Sequence, residues 1–367
     1  GRLYVWDQSG GTGNRSVVVP TAPSASNFMF VSQQDRHVIC LGTHGVASGF
    51  DPMLVRWSDQ NDYTNWNVNV SSTSGENQLG DGSELITGLN TRNQSLIWTD
   101  NAVHAMEFVG PPFIFNFRQL GSNCGIAGQH AAIELDGRVF WMGAKDFFVY
   151  DGAVKALPCS VRRYVYDDFN FDQKEKVYAG TNQEFREVTW LYPSRNSTEV
   201  DRYVSYNPVE NYWTFGTTIF TTWEDKEVFQ NVITTGQETS TTNYLYTNEP
   251  EGIYTADGQK QEAFLESSEF DTTPPSYGAG DNIMYLDRIV PDFTINDGGI
   301  VTLKMKLKNF PNGEVREKGP FTVTPTTQFI RTRARSRQAI IRISTSTGGT
   351  NWRLGSFRMD VTQDGKR

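Results

Sequence analysis

The sequence predicts an all-β protein: an irregular β-propeller with blade insertions, followed by a C-terminal antiparallel β unit. Three observations carry this. Aromatic residues make up 13% of the 367 positions, Val, Ile, Thr and Gly are abundant, and long periodic apolar helices are absent, which is the balance of pleated sheet. A two-strand unit recurs along the chain, its starts about 40 to 60 residues apart, the period of a four-stranded blade with insertions. Near residues 272–278 glycine, proline and small polar residues mark a boundary, so residues 1–266 are expected to form the propeller body and 267–367 the C-terminal unit.

The elements follow in order. Residues 2–7 read as a strand ending in a turn, 10–14 as a flexible glycine-rich loop outside any strand–helix phosphate-binding context, and 17–20 as another strand. Residues 37–41 and 53–57 make a loose first pair. The polar stretch 58–76 is punctuated, with Trp66 expected beneath a surface loop. The clearest unit is 96–99, the turn Asp100-Asn101, and 102–108, because two polar residues that tolerate positive φ stand between apolar β-formers. Gly110-Pro111-Pro112 is expected to stop the pairing, since proline gives the ladder no N–H. Residues 113–117 then form a strand with one face buried.

The unit recurs at 138–143 with 147–152, at 187–192 with 202–206, and at 243–247 with 253–255. Residues 203–215 read as strand, Asn-Pro turn, strand, and 234–243 as a Thr/Ser-rich loop. One helical stretch interrupts the pattern at 158–177, where Val161, Tyr164, Val165 and Phe169 share a face and Asn170 breaks the helix. Beyond the boundary, the longer alternating strands at 284–295, 300–307, 321–324, 329–344 and 352–361 suit a sandwich-type unit or an expanded last blade.

Composition bounds the function. Three scattered cysteines (Cys40, Cys124, Cys159) read as buried free thiols rather than a disulfide framework, and the four histidines show no metal-ligand spacing. No cofactor is expected. No apolar run approaches the roughly 18 residues of a membrane span, so no membrane insertion is expected. No charged-then-apolar leader opens the chain, so nothing indicates Sec export, and the lack of an initiator Met is compatible with upstream residues that are missing or cleaved. Residues 1–266 hold 18 Lys/Arg against 32 Asp/Glu, a net of −14, whereas 267–367 hold 15 against 10, a net of +5. An acidic body argues against tight nucleic-acid binding by phosphate neutralisation, though not against a channel through which DNA slides, and plain solubility is the simpler reading of an acidic surface.

The sharpest charge pattern is Arg331, Arg333, Arg335 and Arg337. Side chains alternate across a strand, so all four would project from one face, roughly 7 Å apart. That face would dock an acidic partner or contact DNA phosphates; a solvated sheet face partly paired with neighbouring acids is the plainer reading. Motifs for catalysis are lacking: no Gly-x-Ser-x-Gly, P-loop, His-Glu-x-x-His or EF-hand loop occurs. Trp57-Ser58-Asp59 resembles the Asp-containing turns of sialidase propellers in those three residues alone. The Asp-Gly pairs are more simply turns than calcium ligands. Aromatic side chains could stack on sugars, but blades need bulky β-formers between their sheets.

A resemblance extends beyond these patterns. VRWSDQNDYTNW (55–66), the run from LGDGSELITGL to PPFIFNF (79–117), LGSNCGIAG (120–128) and GRVFWMGAKDFFVYDG (137–152) come first in chain order. LPCSVRRYVYDDF to WLYPS (157–194), YNPVENYWTFG (206–216) and RARSRQAIIRI to QDGKR (333–367) follow. Their ordered succession resembles the tail nozzle proteins of short-tailed bacteriophages, also called packaged-DNA stabilisation or tubular tail proteins. The resemblance implies a β-propeller subunit in a ring, six-fold in symmetry, below the portal and adaptor, alongside tail fibre or spike proteins. It places the protein in the virion tail, assembled in the host cytoplasm. The ring would extend the DNA channel, retain the packaged genome and conduct double-stranded DNA during ejection. It carries over no catalytic residues, so no enzymatic activity is expected. The alternative is a propeller-type tail component that binds or cleaves host glycan.

Overall fold

The computed structural model describes residues 1–226, 229–239, 242–250, 252–253, 255, 260, 262–272, 282–345 and 347–365, the side chains of 237–239 excepted. The chain divides into two compact units, Gly1–Asn248 and Glu249–Arg367. The expected division at 266 is therefore moved upstream. The cause is a strand at Ala263–Glu266, which pairs with residues 342–345 and so belongs to the second unit. Most of the composition change at 272–278 lies outside the described residues.

The first unit is an irregular β-propeller. After a short antiparallel pair, β1 (Tyr4–Val5) with β2 (Val17–Val18), five sheets follow in chain order. The first holds β3 (Ser26–Val31), β4 (Val38–His44), β5 (Phe50–Trp57) and β6 (Gly75–Gln78). The second holds β7 (Leu85–Asn90), β8 (Ser95–Thr99), β9 (Ala102–Gly110) and β10 (Ile114–Ser122). The third holds β11 (Ala132–Leu135), β12 (Arg138–Met142), β13 (Phe147–Tyr150) and β14 (Val154–Leu157). A helix α1 (Arg162–Asp168) and a 3-10 segment, Phe171–Lys176, lead to the fourth sheet. That sheet holds β15 (Tyr178–Asn182), β16 (Glu187–Tyr192), β17 (Arg202–Asn207) and β18 (Tyr212–Thr217). The fifth has β19 (Phe220–Glu224), β20 (Ile233–Thr239) and β21 (Thr242–Thr247). Within each sheet every strand pairs only with its neighbour in sequence, the meander of a propeller blade.

Alternation explains how the blades stack. On β8, Leu96 and Trp98 enter one core with Trp141, Phe147 and Trp190, while Ile97 enters another with Leu41, Val55 and Trp57. Both faces of the strand are thus buried, which is why its sequence is apolar without a polar interval. Indole N–H groups add links between sheets: Trp190 Nε1 donates to the Ala131 carbonyl at 3.1 Å, and Trp223 Nε1 to that of Thr181 at 3.1 Å.

The structure corrects several local expectations. The 96–108 hairpin forms, but neither Asp100 nor Asn101 takes a positive φ. Instead the Thr99 hydroxyl accepts the N–H groups of Asn101 (3.1 Å) and Ala102 (2.7 Å), closing the turn from its own strand. Asp136-Gly137, the turn between β11 and β12, has both residues at positive φ, 52° and 74°. Gly110-Pro111-Pro112 does not end the pairing; it is the corner between β9 and β10, with Gly110 opposite Ile114. Residues 233–239 form β20 instead of a loop, and β21 pairs with it. The expected return arm at 253–255 includes Tyr254, outside the described residues. The helical stretch breaks at Asn170 as its sequence implies, its side chain accepting the Asp172 N–H. Val165 and Phe169 are buried, whereas Tyr164 is exposed against Phe215.

The second unit has its own core and takes the sandwich-type reading rather than that of an expanded last blade. Its strands are β22 (Ala263–Glu266), β23 (Met284–Val290), β24 (Phe293–Ile295), β25 (Val301–Lys308) and β26 (Arg316–Val323), then β27 (Ile330–Ser336), β28 (Gln338–Thr345), β29 (Trp352–Leu354) and β30 (Arg358–Gln363). One sheet runs β22-β28-β25-β26, another β27-β23-β30, with β24 and β29 paired beside them. Leu286 and Ile289 of one sheet meet Leu303, Met305, Ile341 and Ile343 of the other. Along β25 strict alternation buries Val301, Leu303, Met305 and Leu307, and the outward Lys306 reaches Glu266 at 2.9 Å.

Candidate functional site: an axial cavity and an arginine edge

The leading strand of each propeller sheet borders one cavity of about 290 Å³. Phe28 comes from β3, Leu89 from β7, Tyr178 from β15, and Trp223 and Glu224 from β19, with Asp225 just after it. Gln129 and His130, immediately ahead of β11, complete the polar part, and Gln129 Nε2 donates to the Asn27 carbonyl at 3.3 Å.

Local backbone contacts set these side chains. The His130 carbonyl accepts the Ala179 N–H at 2.7 Å, which brings the imidazole onto the Tyr178 ring, the centroids 4.9 Å apart and the planes 18° from parallel. Asp225 Oδ1 accepts the Thr181 N–H at 2.7 Å, while Trp223 lies across Gly180, where a Cβ would overlap the indole. Burial holds the His130 imidazole below its ordinary range, so it is neutral at pH 7. Burial first, and then the charges of Glu224 and Asp225, push the Tyr178 hydroxyl up. Two carboxylates, a neutral imidazole and three aromatic rings therefore meet in one place.

Sequence reasoning did not find this cavity. Trp223-Glu224-Asp225 carried the only local signal, an aromatic followed by two acids at the end of a β-rich run.

The predicted arginine strand is real but holds three of its four members. Arg331, Arg333 and Arg335 are exposed along β27, alternating with buried Thr332, Ala334 and Ser336. Arg337 is not on that face, because the strand ends at Ser336 and the chain turns there into β28; it sits half-buried, its guanidinium 5.8 Å from the centre of the Phe310 ring. Arg331 lies 3.6 Å from Asp287, and Arg335 donates to Asp364 at 2.5 Å. The strand is the edge of its sheet, and its outward carbonyls are taken by side chains of β26: Lys318 Nζ donates to Arg333 O at 2.6 Å and Arg316 to Arg335 O at 3.1 Å.

The other sequence candidates have structural roles. Asp59 ties its own loop, accepting the N–H of Thr73 (2.8 Å) and of Gln60 (3.0 Å) and the amide of Asn65 (2.8 Å). Beneath that loop Trp66 is fully buried. Cys40 and Cys124 are buried and Cys159 half-buried, all as free thiols. Among the described residues no group of His, Cys, Asp and Glu is placed to hold a metal ion, and no helix is long and apolar enough to cross a membrane.

No protein-family model and no curated protein matches the sequence. Solved structures similar to the chain include the N-terminal domain of Nup159, at 9% identity and a TM-score of 0.33, covering 62% of this chain and 59% of that one. The chain thus spans about three fifths of that domain's length. An exo-beta-1,3-galactanase from Phanerochaete chrysosporium is similar at 9% identity over 93% of this chain and 96% of its own, with a TM-score of 0.31. A glycoside hydrolase family 43 arabinoxylan arabinofuranohydrolase from Bacillus subtilis is similar at 8% identity over 94% and 96%, with a TM-score of 0.30. At these identities and TM-scores the likeness assigns no activity to this chain. It does correct one expectation. Glycoside hydrolases stand among the similar structures, so the expectation of no enzymatic activity, drawn from the resemblance, is withdrawn.

Proposed function

We propose that this chain is a subunit of the tail nozzle of a short-tailed bacteriophage. In this reading it forms a ring, six-fold in symmetry, that extends the DNA channel below portal and adaptor, retains the packaged genome and conducts it during ejection. One observation carries the reading: the ordered succession of segments, from 55–66 to 333–367, that resembles that family. Those segments fall in order on β5, on β7 to β10, on β12 and β13, on α1 to β16, on β17 and β18, and on β27 to β30. Charge supports it too. Acidic side chains around a channel repel phosphates and ease sliding, and a basic C-terminal part offers a contact for a neighbour of opposite sign. The test is a particle lacking this chain. Heads should fill with DNA and then lose it, with retention restored by supplying the chain; particles that hold and eject their genome normally without it would refute the proposal.

A second reading, a tail component that binds or cleaves host glycan, is favoured by the axial cavity. Aromatic rings for sugar stacking and two carboxylates stand together there. Release of sugar from host envelope by the purified chain, lost on Glu224→Gln, would favour it; no release and no retention of envelope glycan would remove it.

A further inference from the structure

We propose that the cavity bordered by the five leading strands is a binding site for a small organic ammonium compound. The inference rests on the cavity itself and on neither functional reading above. Its volume of about 290 Å³ lies at the small end of natural ligand sites, so the occupant is compact. Among the described residues its lining includes the carboxylates of Glu224 and Asp225 and no Lys or Arg. Lys226, the nearest cation in sequence, is committed to Glu184 at 2.8 Å. Burial holds the His130 imidazole in its neutral form, so among the described lining residues no cation stands beside the two carboxylates.

Aromatic walls raise the value of a positive occupant twice over. Phe28, Tyr178 and Trp223 present ring surface that attracts cations. They also lower the local dielectric, which strengthens the pull of the two carboxylates. One Asp225 oxygen is fixed by the Thr181 N–H at 2.7 Å, which aims the carboxylate. A neutral occupant would gain nothing from the two carboxylates, and an anion would be repelled by them.

The experiment is a titration of the full chain, followed by Trp fluorescence and ligand-observed NMR. The probes are choline and 3,3-dimethylbutan-1-ol, which keeps choline's shape with carbon in place of the charged nitrogen. Choline should bind saturably and the neutral analogue roughly tenfold more weakly or worse. Glu224→Gln and Asp225→Asn should each weaken choline binding about fivefold to tenfold. Near-UV circular dichroism checks that the cavity is intact in both, and Glu224, being exposed, is the variant that leaves the fold untouched. Lack of saturable choline binding would overturn the proposal. So would equal binding of the neutral analogue, binding indifferent to both substitutions, or glucose binding as tightly as choline.

Discussion

At the scale of single residues, a buried pair, a glycine and two thiols state what the fold requires. Asp35 and His37 are both buried and approach to 3.2 Å without hydrogen-bond alignment, and the imidazole lies edge-on to Phe115 and beside Phe108. Truncation of His37 to Ala leaves a carboxyl group without its neighbour and opens a cavity between the rings. We expect a loss of about 3 kcal/mol, read by urea unfolding. At Gly180 a methyl group would collide with the Trp223 indole, so Gly180→Ala should cost about 1–3 kcal/mol and shift Trp fluorescence as the ring is displaced. The thiols give a pH prediction. Burial pushes both Cys124 and Cys159 up to about 11 from an ordinary 9.0. The folded state therefore favours the protonated thiol, and the unfolded chain ionises first as pH rises. Their contribution to stability is whole below about pH 9 and is lost between about pH 9 and 11. Thermal melts across that window should fall, and a Cys124→Ser, Cys159→Ser variant should fall less.

Secondary-structure elements show what a sequence carries and what it hides. The hairpin β8–β9 was legible because both faces of β8 are buried, which forces a run of β-formers on each side of a polar turn. Strand β20 was not, since its Thr-rich sequence ITTGQET has the composition of a loop, and pairing on both sides is what holds it extended. Arg337 fell off the arginine face for a similar reason: alternation predicts direction only while the strand lasts, and nothing in RTRARSR marks its end. The edge of β27 yields a prediction of its own. Lys318 and Arg316 occupy carbonyls that another strand would otherwise seek, a common defence of sheet edges. Lys318→Ala with Arg316→Ala should raise self-association in light scattering while leaving the melting temperature within a few degrees.

For the whole molecule, the repeat and the uneven charge were visible in the sequence, because each is a property of composition or period, whereas the division after Asn248 lies upstream of the boundary the composition suggests. The axial cavity was not. Its lining runs from residue 28 to residue 225, one short contribution from each of five sheets, and no spacing in the chain announces that those strands converge. The same holds for assembly, since a ring is specified by surfaces that meet only between copies. The most direct test of the nozzle account is imaging of the purified chain, alone and with a tail adaptor, for rotational symmetry. The account predicts a closed six-fold ring with an axial opening about as wide as duplex DNA. A chain that stays monomeric with and without the adaptor would contradict it.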